Sequence, residues 1–267
     1  MSVVRRVGKK TNPKINDKII SYFPYHISYI EPFSGGLGMF RYKPRAKYNF
    51  LNDLDGNVIN AFLVITEKRK ELIEYLERVP YAHDVFQYFR KMTPKTDVQR
   101  AVKFLILSNW GYMGKPESVK FGLDGSKNEL LRQIETTYLD LCKGENRFLN
   151  CDFADVFKQI NFRKPTEAYP GRLNDKDTAF AYLDPPYLET DNNYDTPKWT
   201  EADVIRCYGL MKNEGIKMAM SEFDHPFILE KAKEYGFNIV EIGERQNMKN
   251  RRTEILIMNY DLPKLLF

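Results

Sequence analysis

Short apolar segments that read as strands alternate with segments of helical period over most of this chain, and that alternation restricts the fold more than any other feature. Strands are predicted at 27–30, 48–51, 147–151, 179–183, 217–221, 238–242 and 254–259, and helices at 14–23, 201–213 and 226–235. The pattern implies a mostly parallel sheet covered by helices, with the apolar run Ile255-Leu256-Ile257-Met258 as a buried strand. From 57 to 143 the strands stop. Leu72, Ile73, Leu76 and Val79, then Val98, Ala101, Val102 and Leu105, then Leu130, Ile134, Tyr138 and Leu141 keep helical spacing, which marks a mainly helical insertion. Within it, 109–116 is rich in glycine and aromatics and is read as an ordered loop, and 163–177 as the most mobile one.

A chain of 267 residues can hold one catalytic domain and a smaller appended one. It has no apolar run of about 18 residues and no signal-peptide pattern after Arg5-Arg6, so a cytoplasmic protein without a membrane segment is expected. Cys142, Cys151 and Cys207 are odd in number and far apart, which fits neither a disulfide framework nor paired zinc ligands; they are expected to be reduced and buried. His26, His83 and His225 are isolated as well, and no metal is expected. The net charge of +5 is too mild to show a nucleic-acid partner by itself. Its placement says more: Arg5, Arg6, Lys9, Lys10, Lys14 and Lys18 crowd the start, Arg41, Lys43, Arg45 and Lys47 follow a glycine turn, and Lys249, Arg251 and Arg252 lie near the end.

In an open α/β sheet, ligands bind beyond the carboxyl ends of the strands. Four such positions carry chemistry here. Phe33-Ser34-Gly35-Gly36-Leu37-Gly38 lets the backbone approach a cofactor closely, although a plain strand-to-helix turn needs the same residues. Asp53 ends the next strand, where a carboxylate can hold the two hydroxyls of a ribose or merely cap a turn. Asp152-Phe153 offers an acceptor for an adenine amino group and a ring to cover its face. The fourth is Asp184-Pro185-Pro186-Tyr187. Two prolines fix the backbone and remove two donors, leaving a rigid surface rich in acceptors. The Asp184 carboxylate and the Pro185 carbonyl can accept both hydrogens of an exocyclic amino group, with Tyr187 stacked on the ring. A turn-capping Asp184 is the competing reading, and a metal site fails for want of partner ligands.

Taken in this order, the residues resemble the Dam-like, D12 class of N6-adenine-specific DNA methyltransferases, the α group, over nearly the whole chain. Gly8-Lys9-Lys10 is similar to that family's N-terminal cofactor motif, and Glu31-Pro32-Phe33-Ser34-Gly35-Gly36 to its glycine loop. Asp53 matches its ribose-binding acid, Asp152-Phe153 its cofactor-adenine contact, and Asp184 to Tyr187 its catalytic tetrapeptide. Ser221 and the run 252–260 resemble its closing segments. The resemblance implies a Rossmann-like S-adenosylmethionine-dependent methyltransferase sheet flanked by helices, made of 1–56 and 146–267, with 57–145 as the helical target-recognition insertion.

It further implies S-adenosyl-L-methionine as cofactor, S-adenosyl-L-homocysteine as product, and cofactor contacts at Gly8, Lys9, Lys10, Glu31, Pro32, Phe33, Ser34, Gly35, Gly36, Gly38, Asp53, Asp152, Phe153 and Asp184. DNA is the implied partner, through Lys10, Asn109, Trp110, Tyr112, Lys115, Lys249, Arg251 and Arg252; a cognate restriction endonuclease is a further partner the family allows. Some positions depart from the pattern. Trp110 stands for the usual Arg, Met113 for Asn, and an asparagine-valine-proline segment is missing, so the recognition hairpin is shortened and the target sequence stays open. Leu37 holds a place often taken by Gly. A relative acting on RNA adenine, cytosine N4 or a protein amide, or a DNA-binding protein without turnover, is the alternative reading.

Overall fold

The structure is a computed structural model, and it describes residues 3–4, 12–111, 119, 127–167, 169, 171, 174–190, 197–246 and 251–261. The chain opens with α1 (Pro13–Ser21), β1 (Ser28–Glu31), α2 (Gly38–Tyr42) and β2 (Tyr48–Asn52). Five helices follow: α3 (Gly56–Glu67), α4 (Arg69–Arg78), α5 (His83–Lys91), α6 (Asp97–Trp110) and α7 (Lys127–Leu141). Then come β3 (Glu145–Leu149), β4 (Ala179–Leu183), α8 (Glu201–Asn213), β5 (Lys217–Phe223), α9 (Pro226–Tyr235), β6 (Asn238–Gln246) and β7 (Arg251–Met258). Short 3-10 helices at Phe153–Gln159 and Asp175–Thr178 flank the approach to β4.

Local chemistry sets these boundaries. Asp55 caps α3 by accepting from the Asn57 amide, and Thr96 caps α6 through Gln99. Asp203 reaches back to the Thr200 amide at the start of α8. Pro226 opens α9, and Gly236 closes it at φ 74°, a left-handed value that glycine adopts without strain.

The strands form one sheet in the order β3-β2-β1-β4-β5-β7-β6. The first five in that order run parallel, whereas β7 is antiparallel to both β5 and β6. The expected mostly parallel sheet therefore carries an antiparallel edge. Side chains alternate across it, as a period of two requires. Phe180, Tyr182, Leu256 and Met258 face one apolar cluster, which also takes in α1 and the helices of the insertion; Ala181, Leu183, Ile255 and Ile257 face a second, shared with α8 and α9. The run 255–258 is buried, as expected.

Two expectations need correction. Asn109 and Trp110 belong to the last turn of α6 and not to a loop, because α6 continues until Gly111 caps it. Cys142 is exposed, whereas Cys151 is half-buried and Cys207 buried. Among the described residues no helix is long and apolar enough to cross a membrane, and no group of His, Cys, Asp and Glu is arranged to hold a metal ion.

Candidate active site

The strand order reverses between β1 and β4, so the connections leaving their carboxyl ends diverge and open a crevice there. The glycine loop leaves β1 on one side of it and Asp184 leaves β4 on the other. Asn52, at the end of β2, binds three loops together at this edge. Its amide donates to Pro32 O (2.9 Å) and Cys151 O (3.0 Å), and its oxygen accepts from the Cys151 amide (3.0 Å). Asn52 is only 1% exposed and falls in none of the sequence motifs.

Asp53 follows, buried at 8% exposure, accepting from Gly35 N at 2.9 Å and from Asp55 N at 2.9 Å. It thus fixes the glycine loop to β2. Gly35 has φ 45°, the region that favours glycine, with open space where a Cβ would stand. Leu37 sits at φ 59° without that excuse, as the residue capping α2; its fully buried side chain offsets the backbone cost. Ser34 Oγ is buried with no hydrogen-bond partner among the described residues. Pro32 is buried, and Phe33, Gly36 and Gly38 are half-buried around the loop.

Phe33 packs with Phe153 (ring centroids 5.1 Å) and Trp199 (5.5 Å). Asp152 does not stand as a bare acceptor: its Oδ1 accepts from the Ala154 amide (2.9 Å) and from the Arg206 guanidinium (2.5 Å). Arg206 also lies 4.5 Å from the centre of the Phe153 ring, which is itself only 6% exposed. Phe33 is therefore the more open of the two rings. Trp199 and Arg206 are additions the sequence reading missed; nothing in their spacing links them to Phe33.

Asp184 is half-buried, Pro185 buried and Pro186 half-buried. Tyr187 is not the open stacking ring expected from the sequence. It is 9% exposed, its edge packs against Phe223 at 4.6 Å, and its hydroxyl reaches Asp184 Oδ1 (3.2 Å) and Glu254 Oε1 (3.0 Å). Glu31 lies beneath the crevice at 2% exposure and accepts from the Tyr29 hydroxyl at 3.1 Å. Burial, reinforced by the charge of Asp184, pushes its pKa up to about 8. Glu31 thus enters the base of the glycine loop as a buried acid held by Tyr29.

The expected DNA contacts separate. Asn109 is 3% exposed, its amide donating to Val3 O and Leu105 O, and Trp110 is fully buried against Tyr81, so neither presents a surface to DNA. Helical spacing aims them into the core. Nor do the basic residues after the glycine turn form an open patch: Lys43 is buried over the Tyr29 ring, Arg41 pairs with Asp140 at 2.8 Å, and Arg45 covers the Phe40 ring and donates to Phe40 O. Arg252 is half-buried near Phe223, at the same sheet edge as Asp184, and Arg251 lies beside it on β7. Gly8, Lys9, Lys10, Tyr112, Lys115 and Lys249 lie outside the described residues.

A parallel sheet with a glycine turn, an acid after β2, an aromatic pair after β3 and Asp-Pro-Pro-Tyr after β4, all meeting at the strand reversal, defines a Rossmann-like methyltransferase. Residues 7–248 match the profile of the D12 class N6 adenine-specific DNA methyltransferases, and the chain belongs to that family. It is 21% identical over 277 residues to the retron Ec67 DNA adenine methylase of Escherichia coli, covering 97% of this chain and 91% of that protein. A solved structure from Haemophilus influenzae, named as a "putative methylase", aligns over 97% of this chain and 99% of its own with 12% identity and a TM-score of 0.38, which is too low to bear on the fold.

Proposed function

We propose that this chain transfers a methyl group from S-adenosyl-L-methionine to N6 of an adenine flipped out of a specific DNA sequence. The observation that supports this best is the placing of Asp184 across the β1/β4 crevice from the glycine loop and Asp53. Family membership supports adenine in DNA as the substrate and a sulfonium as the methyl source. When bound, the cofactor supplies a methyl group already activated for displacement.

The residues present fit such a group. The glycine turn at Gly35 and Gly36 lets its amino-acid end come close to the backbone, Asp53 suits its ribose, and Phe33, Phe153 and Asp152 its purine; the buried, unpartnered Ser34 hydroxyl lies within the same loop. Asp184 and the Pro185 carbonyl accept the two N6 hydrogens of the target base, which orients the nitrogen lone pair toward the methyl group. Flipping costs a few kcal/mol, offset by these bonds and by contacts with the crevice walls.

We assign 1–56 and 146–267 to this chemistry and 57–145 to recognition of the target sequence. Phosphate contacts fall to Arg251 and Arg252 and to Lys10, Tyr112, Lys115 and Lys249. The protein acts on DNA in the cytoplasm; a cognate endonuclease would be revealed by cleavage of unmethylated DNA of the same cell.

Transfer of labelled methyl groups, with DNA, RNA and protein offered in parallel, tests the reading. DNA should be labelled at adenine N6. D184N and D184A should lower kcat by about 10²-fold or more, while calorimetry finds cofactor affinity largely kept. Labelling of RNA or protein alone, or full turnover by D184N, would overturn it.

A further inference from the structure

We propose that Glu254 is a positioning residue for methyl transfer, donating a hydrogen bond to the Tyr187 hydroxyl oxygen so that the Tyr187 hydrogen is turned toward Asp184. The inference rests on the role given to Asp184 above. It begins from a count of hydrogens. Tyr187 Oη lies 3.2 Å from Asp184 Oδ1 and 3.0 Å from Glu254 Oε1, yet a phenol owns a single hydrogen. It serves one acid. The other contact sets lone pair against lone pair unless that acid carries a hydrogen of its own.

Burial says which acid that is. Glu254, on β7 between β5 and β6, is fully buried, whereas Asp184 stands half-buried in the loop at the crevice. Withholding water costs the deeper carboxylate more, so the hydrogen belongs on Glu254. The surroundings agree: Tyr182 has its pKa raised well above the usual phenol value by burial, then by the charge of Asp184. A second anion in this cluster of acids and phenols is costly. The order of donation is then Glu254 to Tyr187 to Asp184, and the last bond ends on an ionised acid, the stronger kind.

The arrangement matters because the backbone around Tyr187 is already fixed. Pro185 and Pro186 stiffen the segment before it, and Glu222, fully buried on β5, holds the segment after it by accepting from Leu188 N (2.7 Å) and Phe223 N (2.6 Å). What is left to orient is the Asp184 side chain. The hydroxyl of Tyr187 is one group that touches it, at 3.2 Å.

Steady-state kinetics with labelled cofactor and DNA tests the proposal. E254A should lose about 10- to 100-fold in kcat, the range for a hydrogen bond to a charged group, with KM for cofactor and DNA unchanged. E254Q, which keeps an N–H donor, should restore most of that loss. Y187F should lose as much as E254A, and E254A should add nothing in the Y187F background. E254M, which keeps the bulk, replaces E254A if the smaller side chain does not fold.

Wild-type kcat in E254A, no rescue by E254Q, or additive losses in the double variant would overturn the proposal. A second readout does not depend on turnover. The infrared difference between wild type and E254Q at neutral pH should lack a carboxylic-acid carbonyl band in the variant; loss of carboxylate bands instead would overturn the assignment even if the chain methylated nothing.

Discussion

Glu31 shows how far burial can move a single carboxyl. Its pKa of about 8 lies above that of the unfolded chain, so the stability it contributes is fully present below about pH 4.5 and drains away as pH rises toward 8. Lys43, lowered to about 8 by its own burial, acts between that value and its ordinary 10.5, and His26, lowered by burial, acts at the acid end with the opposite sign, so between pH 5 and 8 Glu31 shares the window with the proton assigned to Glu254. Thermal denaturation should find the wild-type midpoint falling as pH rises toward 8 by the equivalent of a few kcal/mol, and the fall distinctly shallower in E31Q; parallel slopes would contradict the assignment. At this scale the sequence was readable where a residue's chemistry is unusual for its place. A glycine turn after a strand, an acid at the next strand end and a doubled proline announce themselves. Asn52, Glu222 and Glu254 do not, since a polar residue in a strand looks solvent-facing until its partners across the sheet are known.

Among the elements, α6 most changes the reading of the chain. Its apolar stripe Val98, Ala101, Val102 and Leu105 was legible, and carrying the same period onward places Asn109 and Trp110 inside, where a likeness to a recognition loop had put them outside. Replacing Trp110 by alanine should accordingly cost about 3–5 kcal/mol of stability, with W110F milder, and leave the DNA affinity of the folded protein unchanged. Denaturant midpoints and binding titrations separate the two; a variant of full stability with lost affinity would restore the DNA role. Boundaries of α8, α9 and β4 follow from caps, a proline and a glycine, and coincide with the sequence reading. The antiparallel setting of β7 was not readable, because alternation marks a strand without naming its neighbour or direction.

At the scale of the molecule, Arg41, Lys43 and Arg45 are taken up by Asp140 and by the Tyr29 and Phe40 rings, leaving fewer basic groups for DNA than the sequence suggests. Those at the sheet edge and in the recognition segments should still make binding fall on the order of 10³-fold between about 50 and 200 mM salt, as counterions are released from the phosphates. A flat response in a salt titration would count against phosphate contacts. The insertion helices share one apolar cluster with a sheet face, so the region proposed for recognition is built on the same core as the sheet.

The place of β7, between β5 and β6, has a consequence for how the chain is made. During synthesis β6 emerges before the strand that joins it to the rest and must wait beside the ribosome for β7. Because β7 pairs with both β5 and β6, a chain cut short before Arg251 is expected to leave the sheet open beside β5 and to show no methyl transfer.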